Sequence, residues 1–132
     1  MRKNRGFTII ELLVALTIVA IITALAVASY TSARRNSRNA KRRGDMVALQ
    51  QAFEQYYLSN QTYATPCSTM ATGYLQGSFP AETLVGWNAY AQNCTATTYC
   101  VCARLEGGGG GNASNSTCTF GTGEYFCVAN QQ

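Results

Sequence analysis

The chain has 132 residues, with ten lysines and arginines, six aspartates and glutamates, six cysteines and no histidine. That length holds one small domain beside one membrane-length segment and little more. With no histidine, no acidic pair at catalytic spacing and no Lys-Ser/Thr after the Gly107–Gly111 run, neither an enzyme nor a bound cofactor or metal is expected.

The charge is segregated. Arg2, Lys3 and Arg5 make a short basic leader that ends at Gly6. The next 22 residues, 7–28, contain Glu11 as their only ionisable side chain. As a helix they measure about 33 Å, enough to cross a bilayer. A carboxylate at the centre of such a span costs roughly 2.5–3.5 kcal/mol, and less near an end. It therefore implies a function and a partner. An ordinary secretory signal with a cut after Ala28 is the competing reading. It fits less well, because the apolar stretch is longer than such signals use and carries a carboxylate.

Helical periodicity continues through residues 29–59. At 100° per residue, Arg34, Arg35, Arg38, Lys41 and Arg42 fall within an arc of roughly 120°. This basic face suits an anionic partner: acidic groups on neighbouring subunits, lipid head groups or, with weaker support, DNA. Ala33, Ala40, Gly44 and Val47 form a narrow stripe opposite. Met46, Leu49, Phe53 and Tyr56 make an apolar seam that requires a covering layer. One helix from residue 7 to about residue 58 accounts for all of this, with Asn60-Gln61-Thr62 and Pro66 stopping it.

Residues 60–132 read as a globular head. Its charge is reversed, with Arg104 against Glu82, Glu106 and Glu124. Residues 60–98 lack periodicity and are expected to be an irregular connection. Tyr99, Val101, Ala103 and Leu105 alternate, so residues 99–105 form a half-buried strand. Residues 107–116 read as a flexible loop. Residues 117–120 and 125–128 read as a hairpin around Gly121–Glu124. All six cysteines, Cys67, Cys94, Cys100, Cys102, Cys118 and Cys127, follow the apolar segment. They imply an oxidising compartment and up to three disulfides rather than zinc. The hairpin would set Cys118 against Cys127; the remaining four can pair in three ways.

Gly6-Phe7-Thr8-Ile9-Ile10-Glu11-Leu12-Leu13-Val14 resembles the N-terminal signature of type IV prepilins and pseudopilins. The resemblance implies an α+β pilin-like fold, in which a long N-terminal helix packs its second half on a small, disulfide-stapled antiparallel sheet. It implies cleavage after Gly6 by a prepilin peptidase and N-methylation of Phe7. It implies a single-pass subunit of the inner membrane that the assembly machinery polymerises into a helical homo-oligomeric filament on the cell surface. Such filaments serve adhesion, twitching motility, DNA uptake or secretion; a secretion or competence pseudopilin, a minor pilin and a non-polymerising membrane-anchored binding module are the alternatives. Cleavage would leave an ammonium on Phe7, which Glu11 of a neighbour can meet, with Thr8 adding a hydrogen bond. Opposite charges about 4 Å apart attract by about 4 kcal/mol at an effective dielectric of about 20. Many major pilins carry helix breakers where this chain has Ala20 and Ala28, so its stem is expected to stay helical throughout.

Overall fold

The computed structural model describes residues 6–132, so all of the expected 1–6 leader except Gly6 lies outside the described residues. The first element, α1 (Ile9–Asn60), is a single helix of 52 residues. It is followed by α2 (Cys67–Ala71), β1 (Ala91–Cys94), β2 (Tyr99–Arg104), β3 (Gly111–Ala113), β4 (Phe120–Gly123) and β5 (Tyr125–Ala129). The chain falls into two compact units, one ending at Asn36 and one running from Ser37 to Gln132.

In the first unit, no glycine or proline after Gly6 interrupts the helix, and Ala20 and Ala28 are helical as the sequence implies. Every large apolar side chain from Phe7 to Val27 is exposed. The hydroxyls of Thr17 and Thr23 donate back to the carbonyls of Val14 and Val19, at 2.8 and 2.7 Å. Backbone and hydroxyl groups are thus satisfied within the helix, which is what a segment surrounded by hydrocarbon requires. α1 is long and apolar enough to cross a membrane.

In the second unit the apolar seam finds its cover. Met46, Leu49, Ala52 and Phe53 are buried against Tyr99, Val101, Ala103 and Val128 of a five-stranded antiparallel sheet with order β1-β2-β5-β3-β4. Phe53 and Tyr99 meet edge to face at 5.0 Å, as do Tyr63 and Tyr99. Such pairs add about 0.5–1.5 kcal/mol each beyond burial. Their hydroxyls converge on Glu54: Tyr99 donates at 2.8 Å and Tyr63 at 3.2 Å. The alternate residues of β2 and β5 face the other way, where Cys102, Cys127 and Ala113 form a second buried cluster.

Three sequence expectations fail in this unit. Residues 60–98 are not wholly irregular: α2 and β1 lie within them, and β1 pairs with β2. Residues 107–116 are not all loop, because Gly111–Ala113 is β3. Residues 117–128 are not a hairpin, since β3 lies between β4 and β5 and pairs with both. Glycine makes that insertion possible. A Cβ on Gly111 would collide with the Tyr125 carbonyl, and one on Gly123 with the Ala113 carbonyl. The glycines that read as flexibility are the ones that allow close strand approach.

The same insertion overturns the Cys118–Cys127 pairing. Cys118 lies before β4 in a left-handed conformation, φ 56°, and bonds to Cys100. Cys127 bonds instead to Cys102, its direct partner in the β2–β5 register. The third disulfide, Cys67–Cys94, ties α2 to β1. All six cysteines are thereby used.

Candidate assembly site and the basic face

α1 begins with a reciprocal cap. The Thr8 amide and hydroxyl both donate to Glu11 Oε2 at 2.9 Å. In return the Glu11 amide donates to Thr8 Oγ1 at 3.3 Å. This is the Thr-x-x-Glu capping box, in which each side chain satisfies an otherwise orphaned backbone donor. The negative carboxylate also sits in the first turn, where the aligned peptide dipoles favour it. The resemblance places the expected partner of Glu11 on another subunit; within one chain Glu11 has a partner three residues away. Thr-x-x-Glu before an apolar run was the available signal.

The rest of the site is open. Phe7 is 83% exposed. Ile10, Glu11, Val14, Ala15 and Ile18 line one shallow groove along the helix, apolar except for the carboxylate. Phe7 follows Gly6 through an ordinary peptide bond, so its nitrogen carries no charge in this chain. Gly6 is exposed. The arrangement sets an anion in an apolar surface.

The basic face divides into two populations. Arg42 is buried, donating from Nε to Glu82 at 2.5 Å and from Nη1 to Glu106 at 2.7 Å and to Asn39 at 2.9 Å. Its guanidinium lies 5.2 Å from the Trp87 ring centre. Arg38 makes a two-pronged contact to Glu106 at 2.7 and 2.6 Å. Glu106 is held down to about 2, by its hydrogen bond from Arg38 first and by Arg42 against the opposing effect of burial. Burial would favour a neutral Glu82, but hydrogen bonds from Arg42 and the Thr83 and Leu84 amides outweigh it and lower its pKa. The expected pairing with acidic groups of other heads is therefore met inside this chain at two of the five positions. Arg34, Arg35 and Lys41 remain exposed.

Asn39, Glu82 and Glu106 escaped sequence reasoning. Asn39 both donates to the Glu106 carbonyl at 3.0 Å and accepts from its amide at 2.9 Å. The partners are 67 residues apart, so no local spacing betrays them. Only the i, i+3 relation of Asn39 and Arg42 was visible beforehand.

The family described as the prokaryotic N-terminal methylation motif matches residues 1–27. Over 63 residues the chain is 33% identical to the type II secretion system core protein G of Escherichia coli (strain K12), covering 48% of this chain and 43% of that one. The protein of the same name from Klebsiella pneumoniae is 32% identical over 65 residues, 49% of this chain and 46% of its own. That from Vibrio cholerae serotype O1 is 34% identical over 65 residues, 49% and 44% respectively. The chain spans about half the length of the curated relatives it matches. No solved structure matches it.

Proposed function

Since the chain is a member of the type IV pilin-like family, carrying its N-terminal methylation motif and related to secretion pseudopilins, we propose that it is a structural subunit of a pilus-like filament of the secretion type. Prepilin peptidase cuts after Gly6, Phe7 is N-methylated, and the mature subunit waits in the inner membrane by the span at residues 7–28. Assembly machinery then draws subunits into a helical homo-oligomer in which Glu11 of one meets the Phe7 ammonium of another. The head, residues 60–132, lies on the oxidising side, where its three disulfides form.

One observation carries this reading. An uncovered apolar helix begins with a carboxylate set in its exposed face, four residues from the Gly6–Phe7 bond, whose cleavage would create a matching cation. Transferring that carboxylate from the capping box to a neighbour's ammonium neutralises two charges in an apolar bundle and fixes the register between helices. The secretion role is preferred to adhesion, motility or DNA uptake because the relatives are secretion proteins by name.

Mass spectrometry of the mature N-terminus tests the processing. N-methylated Phe7 is expected; a mature protein beginning at Met1 or at Ser29 refutes it. Glu11→Ala in a strain dependent on this chain tests the process. Loss of secreted protein from the medium supports the secretion role, and loss of surface adhesion or of DNA uptake with secretion intact refutes it.

A further inference from the structure

The basic face loses Arg38 and Arg42 to the carboxylates of Glu106 and Glu82. Arg34 and Arg35 are left otherwise. Both are exposed, and neither is in an ion pair among the described residues. Between Glu11 and Asp45 the sequence contains no acidic residue that could neutralise them.

Their position next to the apolar span is informative. Arg34 lies six residues beyond Ala28, about 9 Å along a helix. The head-group layer on each side of a bilayer is roughly 5–8 Å deep. Helical side chains lean towards the N-terminus, and the Arg34 guanidinium sits over the Tyr30 ring, 5.5 Å from its centre, one turn back towards the apolar segment. Tyr30 itself is 61% exposed. An exposed tyrosine at the end of an apolar span, with an arginine folded back over it, matches the amphipathic chemistry of a membrane interface.

We infer that Tyr30, Arg34 and Arg35 form a binding site for anionic phospholipid head groups on the head's side of the membrane, holding the subunit at a fixed depth before assembly. The arginines take the phosphate oxygens and Tyr30 lies at the level of the ester carbonyls. A nucleic-acid duplex is a poorer occupant, since phosphate binding along DNA draws on many cations and two of this face are already spent inside the chain. The inference rests on reading residues 7–28 as a membrane span.

The full chain, purified in detergent and titrated with phosphatidylglycerol or phosphatidylcholine, provides the test, with bound lipid counted by native mass spectrometry. The wild type is expected to hold phosphatidylglycerol the more tightly. At about fivefold per arginine, Arg34→Gln with Arg35→Gln should weaken phosphatidylglycerol roughly 25-fold and leave phosphatidylcholine unchanged. Lys41→Gln, seven residues further along the chain, should change neither. Undiminished phosphatidylglycerol binding by the double variant overturns the site, as does an equal loss with Lys41→Gln. So does a short DNA duplex that displaces the lipid through the same two arginines. A chain that does not sediment with membranes at all sinks the span reading itself, whereas one that sediments without head-group preference sinks only this site.

Discussion

The proposed assembly adds a second demand on the Glu11 carboxylate to the cap it already makes, and substitutions can separate the two. Glu11→Gln keeps an acceptor for the Thr8 amide and removes the charge; Thr8→Ala keeps the charge and weakens the cap. The first should leave a processed, membrane-inserted subunit absent from sheared filaments. The second should polymerise, with the start of α1 weakened by about 0.5–2 kcal/mol. Comparing the sheared and membrane fractions of both variants reads this out. At the other charged cluster, Arg42→Ala leaves Glu82 and Glu106 short of their buried cation, a change that costs about 3–5 kcal/mol and is measurable as a lower urea midpoint. The sign of the pH dependence follows from the same group. Glu106 titrates at about 2 when folded against 4.5 in its ordinary state. Its contribution is therefore present above pH 4.5 and is lost as pH falls towards 2. Glu106→Gln should lower the midpoint at neutral pH and flatten that acid limb. On the alkaline side, burial first, and then Glu54 or Asp45, raise Tyr63, Tyr90 and Tyr99. Their contribution holds below the ordinary value of 10.0 and should decline above it.

At the scale of elements, β3 decides the head's topology, and Gly111 decides β3. Gly111→Ala forces a Cβ into the Tyr125 carbonyl, and such overpacking costs about 1–3 kcal/mol. Gly109→Ala, where nothing lies within 4 Å, should stay within about 0.5 kcal/mol of the wild type. Urea unfolding of the two variants distinguishes a strand from a flexible run. Peptide mapping under non-reducing conditions should recover Cys67–Cys94, Cys100–Cys118 and Cys102–Cys127, with no Cys118–Cys127 peptide. Some of this was legible in the chain. The Met46-Leu49-Phe53 seam and the Tyr99-Val101-Ala103 alternation are local patterns with fixed periods, and both proved to be the two faces of the main core. The glycine run was misread because composition cannot separate freedom from close packing. Three disulfides among the six cysteines are as expected; only the Cys118–Cys127 pairing fails, because pairing follows strand order, which a three-residue strand from outside the apparent hairpin changes. At the N-terminus the sequence predicts an intersubunit role for Phe7, Thr8 and Glu11, and the structure adds what that reading lacks, an intrachain bond from Thr8 to Glu11.

For the whole molecule, the exposed apolar side chains from Phe7 to Val27 set a choice between lipid and the company of other helices. Both environments remove them from water at roughly 25 cal/mol per Å² of apolar surface, so burial alone does not favour leaving the membrane for a filament. A directional contact is needed to distinguish the two, and a head-to-tail contact repeated from subunit to subunit generates a helix rather than a closed ring unless its rotation closes. The proposed Glu11–Phe7 pair would supply such a contact, because the ammonium of one processed chain and the carboxylate of the next are different groups on the same short segment. The most direct test is electron microscopy of sheared filaments, with mass spectrometry of their main subunit, for the wild type and Glu11→Gln side by side. Filaments built from subunits beginning at N-methylated Phe7, absent in the variant although it is still cleaved after Gly6, are the predicted result. Normal filaments from processed Glu11→Gln subunits would contradict it.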